Sequence, residues 1–328
     1  MTGSRVAGVG IALPERRVSN SEVAAPLGVD DGWIFERTGI RARRFAAPGD
    51  TTSSLGATAA ERCLAATAVE PDEIDLTICA TITPDVRFPA AACLIQARLG
   101  AGGAAYDLNA GCSGFLFALA QADAAVRSGA ARKVLVVGAE VLSRITDPSD
   151  RSTAILFGDG AGAALVERSE ENALGPFSLH SDGSRPELLC VPEEEGVIRM
   201  RGREVYRAAV AGMSTAASEV LGAARAVPDD VDLLIAHQAN RRILDAVAQR
   251  LSLPQDKVFG NIERLGNTSA ASIPLALHDA AAGGQLREGD RVLLAAFGAG
   301  FCWGAGMMTW SASRVDGRAT PSQEMAHV

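Results

Sequence analysis

The sequence predicts an α/β protein made of two similar halves. Apolar, β-rich runs alternate along the chain with alanine-rich stretches typical of helices, an order that favours sheets covered by helices. A weak internal repeat is the second observation, because two strand-like segments recur roughly 160 residues further on, about the length of a domain. The chain of 328 residues is long enough for two such units.

The repeated segments define the two halves. The matching pairs are PDEIDLTICAT (71–81) with PDDVDLLIAHQ (228–238), and KVLVVGAE (133–140) with RVLLAAFG (291–298). Unrelated αβ units can also share an acidic residue before an apolar strand, but the nearly equal spacing favours a duplication. We therefore predict an N-terminal half over 1–170 and a C-terminal half over 171–328, divided in a charged stretch.

Each half is expected to hold buried strands with a helix between them. The predicted strands are Leu76–Ala80, Ala105–Leu108, Val134–Gly138, Leu233–Ala236 and Val292–Ala296, and the predicted helices are Phe115–Ser128 and Ile273–Ala282. In a duplicated α/β protein, corresponding strand ends meet near a pseudo-twofold axis, and active sites favour the carboxyl ends of strands. We therefore expect functional residues in the turns that follow strands.

Charge and composition argue against several classes of function. The formal net charge of −8 argues against nucleic acid as the main partner. We find no apolar run long enough for a membrane span and no signal-peptide pattern. The six cysteines form no CxxC pair and no cluster with histidine, so we expect no metal and no disulfide framework. A reducing cytoplasm is the expected location.

Cys112 is the first candidate for chemistry. It follows the strand Ala105–Leu108 in a turn of small residues, just before a predicted helix that starts near Ser113. The unpaired N–H groups and the positive dipole end of a helix N-terminus favour the thiolate, the nucleophilic form of cysteine. The local pattern leaves a buried structural cysteine open as the alternative.

Three further polar turns complete the set of candidates. His237 and Asn240 directly follow the strand Leu233–Ala236, and Asn267 lies in a turn before a helix. Imidazole and amide groups can hold a proton or donate to a developing oxyanion, although a structural histidine and an asparagine N-cap are the alternatives. The glycine-rich turn in FGAGFCWG (297–304) can supply backbone N–H groups. GDGAGAALVE (158–167) fits no nucleotide loop, so we predict that its glycines allow close backbone packing.

Together these motifs resemble one family. DLNAGCSGF around Cys112, HQAN with His237 and Asn240, GNTSAASIPLAL with Asn267, FGDGAGAA and FGAGFCWG are similar to motifs of the β-ketoacyl-acyl-carrier-protein synthase III group of the thiolase superfamily. WIFERTGIRARR and FPAAACLIQARLG also fit, and the resemblance runs from about residue 5 to 310. It implies a five-layered αβαβα fold from two duplicated halves, a homodimer, and acyl-CoA as substrate with no further cofactor.

The resemblance also implies a reaction. Cys112 attacks an acyl-CoA thioester, and His237 and Asn267 then stabilise the enolate that forms when malonyl-acyl-carrier protein loses CO2. The carbanion attacks the acyl group and gives a 3-ketoacyl thioester. Phe297 would favour loss of neutral CO2, and the N–H of Ala299 would join that of Cys112 in an oxyanion hole.

Other site residues are implied in the same way. The resemblance assigns binding of CoA to Trp33, Arg37, Arg151 and Asn240, with the adenine between Trp33 and Arg151. It assigns the acyl pocket to Leu189 and to Phe88 of the partner subunit. It assigns docking of the acidic carrier protein to Arg207, Arg241 and Arg242.

Two other functions stay open at this point. An acyl shuttle would move the acyl group from cysteine to another acceptor without condensation, and a silent dimer partner would never be acylated. The segment between Leu189 and Met200 is short for the family, so the size of the acyl starter is open. Fatty acid and polyketide initiation are both compatible with the sequence.

Overall fold

The computed structural model describes residues 3–312 and Val315. Its strands are β1 (Gly3–Ala12), β2 (Arg16–Ser19), β3 (Ala42–Phe45), β4 (Leu76–Ala80), β5 (Ala104–Leu108), β6 (Lys133–Glu140), β7 (Gly160–Ser169), β8 (Leu174–Ser181), β9 (Leu189–Cys190), β10 (Arg199–Met200), β11 (Leu233–Ala236), β12 (Arg291–Gly298) and β13 (Cys302–Thr309). Its helices are α1 (Asn20–Leu27), α2 (Asp31–Thr38), α3 (Thr52–Thr67), α4 (Ala91–Leu99), α5 (Gly114–Ser128), α6 (Gly202–Ala223), α7 (Arg241–Arg250), α8 (Ile262–Leu265) and α9 (Ser272–Ala282).

Two sheets and three helical layers build the molecule. One sheet has five strands in the order β1-β7-β6-β4-β5, and the other has four in the order β11-β12-β13-β8. Helices α5 and α9 pack between the sheets, α3 and α4 cover the outer face of the first sheet, and α6 and α7 cover that of the second. The five-layered α/β fold expected from the sequence is confirmed.

The internal repeat occupies matching places in the two sheets. In the first sheet β4 runs parallel to β6, with Leu76 opposite Val134. In the second sheet β11 runs parallel to β12, with Leu233 opposite Val292. The predicted strands and the two predicted helices lie within two residues of their observed bounds, because the buried apolar runs and the turns that end them are local features.

The proposed division between the halves falls in the turn from β7 to β8. The charged stretch around it is only partly a linker, since β7 extends through Ser169. Residues 1–2, at one end of the proposed N-terminal half, and 316–328, at the end of the proposed C-terminal half, lie outside the described residues. The division stays a proposal.

In the 158–167 segment, Gly160 and Gly162 lie in strand β7, and Gly158 lies just before it. A Cβ on Gly162 would lie 2.7 Å from the Pro274 Cβ of α9, so only glycine allows this approach of strand and helix. The prediction of close packing is confirmed. Among the described residues, none of the helices has the length and apolar character that crossing a membrane requires.

Candidate active site

A cavity of about 900 Å³ opens where the strand ends of the two sheets meet. The three residues expected to be catalytic, Cys112, His237 and Asn267, all line it. They come from three separate turns, one before α5, one after β11 and one before α9. The fold therefore brings together side chains that are far apart in the sequence.

Cys112 lies in the turn between β5 and α5. The next residue, Ser113, fixes this turn, because its hydroxyl donates to the carbonyl oxygen of Ala110 at 2.6 Å and to that of Cys302 at 3.1 Å. The Cys112 side chain is partly open to the cavity but is set deep among protein atoms, and this burial raises the pKa of the thiol to about 11.

Burial therefore favours the protonated thiol and opposes the thiolate that the following helix favours. A hydrogen bond from Ser269 lowers the pKa of Cys112, but burial outweighs it. The sequence shows that a helix follows the cysteine, which favours the thiolate, whereas the depth of the thiol is decided by how the two halves pack.

His237 is a buried, neutral imidazole. Its backbone N–H donates to the carbonyl oxygen of Ala295 at 2.8 Å, which continues the pairing of β11 with β12. Burial lowers the pKa of the ring to about 4, and Nδ1 has no hydrogen-bond partner among the described residues. A neutral ring keeps one N–H, which can donate to a carbonyl oxygen in the cavity.

Asn267 presents its amide in a fixed orientation. Its backbone pairs with the preceding segment, from its N–H to the carbonyl oxygen of Leu156 at 2.8 Å and from the N–H of Gly158 to its own carbonyl oxygen at 2.9 Å. The side-chain Oδ1 accepts the N–H of Ser269 at 2.9 Å. Since the oxygen is occupied, the NH2 group is the donor that Asn267 can offer to a ligand.

The turn after β12 touches the turn that carries Cys112. A Cβ on Gly298 would lie 2.5 Å from the Cys112 nitrogen, so glycine is required for this contact. Within the described chain, the N–H groups of Cys112 and Ala299 form no hydrogen bond to another residue. Two unused N–H groups on touching turns can donate to one oxygen. Phe297, 5% exposed, lines the cavity beside them.

The mouth of the cavity is rich in arginine. Arginines of α2, α6, α7 and the loop after β6 line it, namely Arg37, Arg151, Arg203, Arg207 and Arg242. Arg203 was missed by the sequence analysis, although it lies one helical turn before Arg207 and therefore on the same face of α6. Arg241 does not line the cavity and pairs with Asp245 at 2.8 Å.

Trp33 and Asn240 also lie at the mouth. The Arg37 guanidinium sits 4.1 Å from the centre of the Trp33 ring, so in this structure Arg37 stacks on the indole. Asn240 is the N-cap of α7, where its Oδ1 accepts the N–H of Arg242 at 2.9 Å, and its Nδ2 donates to the carbonyl oxygen of Arg37 at 3.0 Å. Asn240 therefore joins α2 to α7 and has one side-chain N–H left for a ligand.

The rest of the wall is mostly apolar. Aliphatic, sulfur-containing and aromatic side chains line it, namely Ile82, Leu142, Ile155, Leu156, Phe157, Leu189, Cys190, Val191, Ile198, Met200, Val205 and Met213. Leu189 therefore lines the cavity, and its role in an acyl pocket stays a prediction. Phe88 is 85% exposed and does not line the cavity of its own chain, so the structure of one chain does not bring it to the site.

Two residues behind the cavity were missed by the sequence analysis. Glu140 is the last residue of β6 and is 0% exposed, and Ser269 donates to its Oε1 at 3.0 Å. A carboxyl group at the end of an otherwise apolar strand is the signal that could have identified Glu140, since glutamate is rarely buried without a partner. No group of three or more His, Cys, Asp or Glu side chains within 3–312 and 315 could hold a metal ion.

A pH effect on stability follows from the buried imidazole. The pKa of His237 is about 4 in the folded chain and about 6.5 in an unfolded one, so the unfolded state binds more protons as the pH falls. The stabilisation from the neutral ring is complete above pH 6.5 and is lost between about 6.5 and 4. From pH 7 to 5 we expect the free energy of unfolding to fall by about 2 kcal/mol more than in His237→Gln. Denaturant unfolding at both pH values measures this difference, and an equal fall in both proteins would contradict the neutral ring.

Known proteins resemble the chain along almost its whole length. Residues 106–183 match the family model described as 3-oxoacyl-(acyl-carrier-protein) synthase III, and residues 221–310 match the model of the C-terminal part of that enzyme. The β-ketoacyl-(acyl-carrier-protein) synthase III of Xanthomonas axonopodis pv. citri is 46% identical over 319 residues, which cover 94% of this chain and 98% of the relative. The protein of that name from Rhizorhabdus wittichii is 47% identical over 309 residues, covering 92% and 97%.

Solved structures give the same result. The crystal structure of 3-oxoacyl-(acyl-carrier-protein) synthase III from Aquifex aeolicus superimposes with a TM-score of 0.92 at 45% identity, covering 94% of this chain and 100% of that one. The priming β-ketosynthase of a polyketide biosynthetic pathway has a TM-score of 0.90 at 39% identity, with 94% and 97% covered.

Proposed function

This chain belongs to the 3-oxoacyl-(acyl-carrier-protein) synthase III family, and we propose that it joins an acyl-CoA starter to malonyl-acyl-carrier protein in a decarboxylating condensation. One structural observation supports placing this reaction in the cavity. A thiol, a neutral imidazole, an amide NH2 and two unused backbone N–H groups face one cavity whose mouth is cationic. That set suits a covalent acyl intermediate followed by an enolate.

Acylation is the first half of the proposed reaction. The Cys112 sulfur attacks the thioester carbon of acyl-CoA, the bond to the CoA sulfur breaks, and the proton of the Cys112 thiol passes to the departing CoA, which leaves as a thiol. The negative oxygen of the tetrahedral intermediate accepts from the N–H groups of Cys112 and Ala299. Loss of one such donor typically lowers the rate by about 10²–10³-fold.

Condensation is the second half. The thioester oxygen of malonyl-acyl-carrier protein accepts from the His237 ring and the Asn267 amide, and these donors stabilise the enolate left as CO2 departs. Phe297 offers an apolar surface on which the malonyl carboxylate is poorly solvated, which favours its loss as neutral CO2. The enolate carbon then attacks the acyl group on Cys112 and expels the Cys112 sulfur as a thiolate, which takes up a proton from water to restore the thiol.

Two other functions predict different products. An acyl shuttle needs the thiol but no donors for an enolate, so the paired donors of His237 and Asn267 favour condensation. A silent dimer partner needs no nucleophile open to a cavity. Mass spectrometry separates the three after incubation with acyl-CoA and malonyl-acyl-carrier protein. Condensation gives a 3-ketoacyl carrier protein and CO2, a shuttle gives an acyl acceptor without CO2, and a silent partner gives no adduct.

We propose that the mouth of the cavity binds CoA. Trp33 is half-buried and its ring faces the cavity, so it is available to stack on the adenine, with Arg151 on the other side of the base. Arg37, Arg203 and Asn240 lie along the path for the phosphates and the pantetheine arm. Arg37 already stacks on the indole, so binding of adenine on that face requires it to move.

Trp33→Ala is expected to lower kcat/KM for acyl-CoA by about 5- to 150-fold, the scale of stacking a base on an aromatic ring. A short acyl-pantetheine thioester lacks the nucleotide, so its kcat/KM should change little. Phe35→Ala is the matched control. Phe35 lies on the same helix and also contacts an arginine, since the Arg41 guanidinium is 3.9 Å from the centre of its ring, but Phe35 does not line the cavity. Equal losses on the two donors in Trp33→Ala would reject the stacking role.

Carrier-protein docking and dimerisation are part of the same proposal. Arg207 and Arg242 are exposed at the mouth and suit an acidic carrier protein, with Arg241 more distant because it is paired with Asp245. Among the residues that the structure describes, the outer strand β5 pairs only with β4, and Phe88 and Tyr106 near it are 85% and 40% exposed. A second copy pairing along β5 would cover this edge and bring Phe88 to the partner's acyl pocket.

We propose a cytoplasmic setting and an apolar acyl starter. Free cysteines throughout the described chain suit a reducing cytoplasm. The apolar wall accepts an aliphatic or aromatic acyl group, and both fatty acid and polyketide starters meet that description. A panel of acyl-CoAs, read as the mass added to Cys112, identifies the starter.

A further inference from the structure

Gln238 is a buried amide directly next to one of the two proposed donors to the enolate. Its neighbours His237 and Ala239 line the cavity, whereas Gln238 does not line it and is 1% exposed. Burial of an amide is costly unless its polar atoms are hydrogen-bonded, so the partners of this side chain show what it holds together. Because Gln238 does not face the cavity, it acts on the reaction only through the residues that it fixes.

The Gln238 amide joins the end of β11 to the segment that leads into α8. Its Nε2 donates to the carbonyl oxygen of Ala236 at 2.9 Å and to that of Phe259 at 3.3 Å, and its Oε1 accepts the N–H of Asn261 at 3.1 Å. Asn261 is the N-cap of α8 and precedes Asn267 in the chain. The side chain therefore fixes the start of the segment that carries Asn267.

The Gln238 backbone reaches the other end of the same segment. Its N–H donates to the hydroxyl of Ser272 at 2.6 Å, and Ser272 is the first residue of α9. Asn267 lies between Asn261 and Ser272 in the chain, so Gln238 is hydrogen-bonded on both sides of it. A further contact connects these two sides, because the Nδ2 of Asn261 donates to Asp279 Oδ2 on α9 at 2.9 Å.

The position of the His237 ring depends on its backbone. The ring Nδ1 has no hydrogen-bond partner among the described residues, so no hydrogen bond at that atom fixes the orientation of the ring. The backbone is held instead, since the His237 N–H donates to the Ala295 carbonyl oxygen and the Ala239 N–H donates to the His237 carbonyl oxygen, both at 2.8 Å. Gln238 follows directly, so its contacts also fix the backbone from which the ring projects.

The Asn267 amide is anchored to a different part of the fold, because its backbone pairs with Leu156 and Gly158. Two donors that are held by separate elements meet on one oxygen only if those elements keep a fixed distance from each other. Hydrogen bonds weaken steeply with misalignment, and a displacement of about 1 Å can lower a rate by about 100-fold. Decarboxylation therefore needs a link between the two donor segments, and Gln238 is hydrogen-bonded to both.

We propose that Gln238 is a positioning residue that sets the distance between the His237 ring and the Asn267 amide. This inference rests on the proposed function, in which those two groups stabilise the enolate. It gives Gln238 a part in decarboxylation and none in acylation, because Cys112 and Ala299 lie on other turns, before α5 and after β12. Loss of the Gln238 amide should therefore separate the two half-reactions, which a general loss of stability would not do.

Separate measurement of the two half-reactions tests the proposal. Gln238→Met keeps the length of the side chain but removes its amide, and Ser272→Ala removes only the hydroxyl that accepts from the Gln238 backbone. We expect Gln238→Met to slow release of CO2 from malonyl-acyl-carrier protein by about 100-fold, while acyl-CoA acylates Cys112 at close to the wild-type rate. Ser272→Ala leaves the amide contacts in place, so its decarboxylation should fall less, by about 10-fold.

Gln96→Met is the matched control. The Gln96 Nε2 also donates to two backbone carbonyl oxygens, those of Gly102 at 2.9 Å and Gly103 at 2.7 Å. Gln96 lies on α4, which covers the outer face of the first sheet, and it does not line the cavity. This variant should lose stability, measured by a melting curve, but keep both wild-type rates.

A double-mutant cycle distinguishes positioning from support of the fold. If Gln238 acts only through the paired donors, Gln238→Met should slow CO2 release little further once His237→Ala has removed one of them. An additive loss in that background, an equal loss of acylation and decarboxylation, or wild-type decarboxylation in the folded single variants would overturn the positioning role. If Gln238→Met fails to fold, Ser272→Ala with and without His237→Ala decides. Failure of the wild type to condense would overturn the proposed function instead.

Discussion

Replacing Cys112 with alanine is expected to abolish acylation and condensation together. The covalent intermediate cannot form without the sulfur, and loss of the nucleophile lowers the rate by on the order of 10⁶-fold in a well-studied hydrolase. The fold should survive, because removal of one sulfur atom beside an open cavity costs only about 1 kcal/mol. Intact-protein mass spectrometry after incubation with acyl-CoA measures the adduct, and a melting curve checks the fold.

Cys190 provides the control for this experiment. It also lines the cavity as a free cysteine, so it tests whether any thiol in the cavity is acylated. Its strand β9 has no following helix, and the turn with unused N–H groups lies at Cys112. We expect Cys190→Ser to be acylated like the wild type. An adduct that persists in Cys112→Ala would show that another residue is the nucleophile.

His237→Ala and Asn267→Ala are expected to separate the two half-reactions. Each removes a donor to the enolate, and one such donor is typically worth about 10²–10³-fold. Acylation of Cys112 should persist in both variants, since neither side chain is hydrogen-bonded to the sulfur. Release of CO2 from malonyl-acyl-carrier protein measures the decarboxylation, and the mass added to Cys112 measures the acylation.

A second histidine tests whether the effect is specific. His180 lies on β8, where its Nε2 contacts Glu219 Oε2 at 2.7 Å, and it does not line the cavity. His180→Ala should therefore decarboxylate like the wild type. Wild-type decarboxylation in His237→Ala and Asn267→Ala would show that the enolate is stabilised by other groups.

Much of the fold could be predicted because its signals are local. A buried strand shows itself as an apolar run, and a turn shows itself by glycine and polar residues, within a few positions. The positions of β4, β6 and β12 follow from such runs, to within two residues at each end. The repeat also predicted which strands correspond in the two sheets, since the matched segments occupy equivalent strands.

The candidate site divides in the same way. The sequence motifs identified Cys112, His237 and Asn267 as candidates, and all three line one cavity in the structure. No motif gave Glu140, because its partner Ser269 lies 129 residues away in the sequence. Stacking of Arg37 on Trp33 and pairing of Arg241 with Asp245 were missed because side-chain contacts depend on the orientation of each helix.

The α/β class, the repeat, the strands and the residues that carry chemistry could all be predicted, because short stretches of chain specify each of them. How those residues are charged depends instead on the packing of the whole chain. The proton on Cys112, the neutral ring of His237 and the ionisable Glu140 all depend on removal from water, which raises or lowers a pKa according to which form is charged. That removal results from two sheets and the helices between them closing around one cavity, a property of the whole fold.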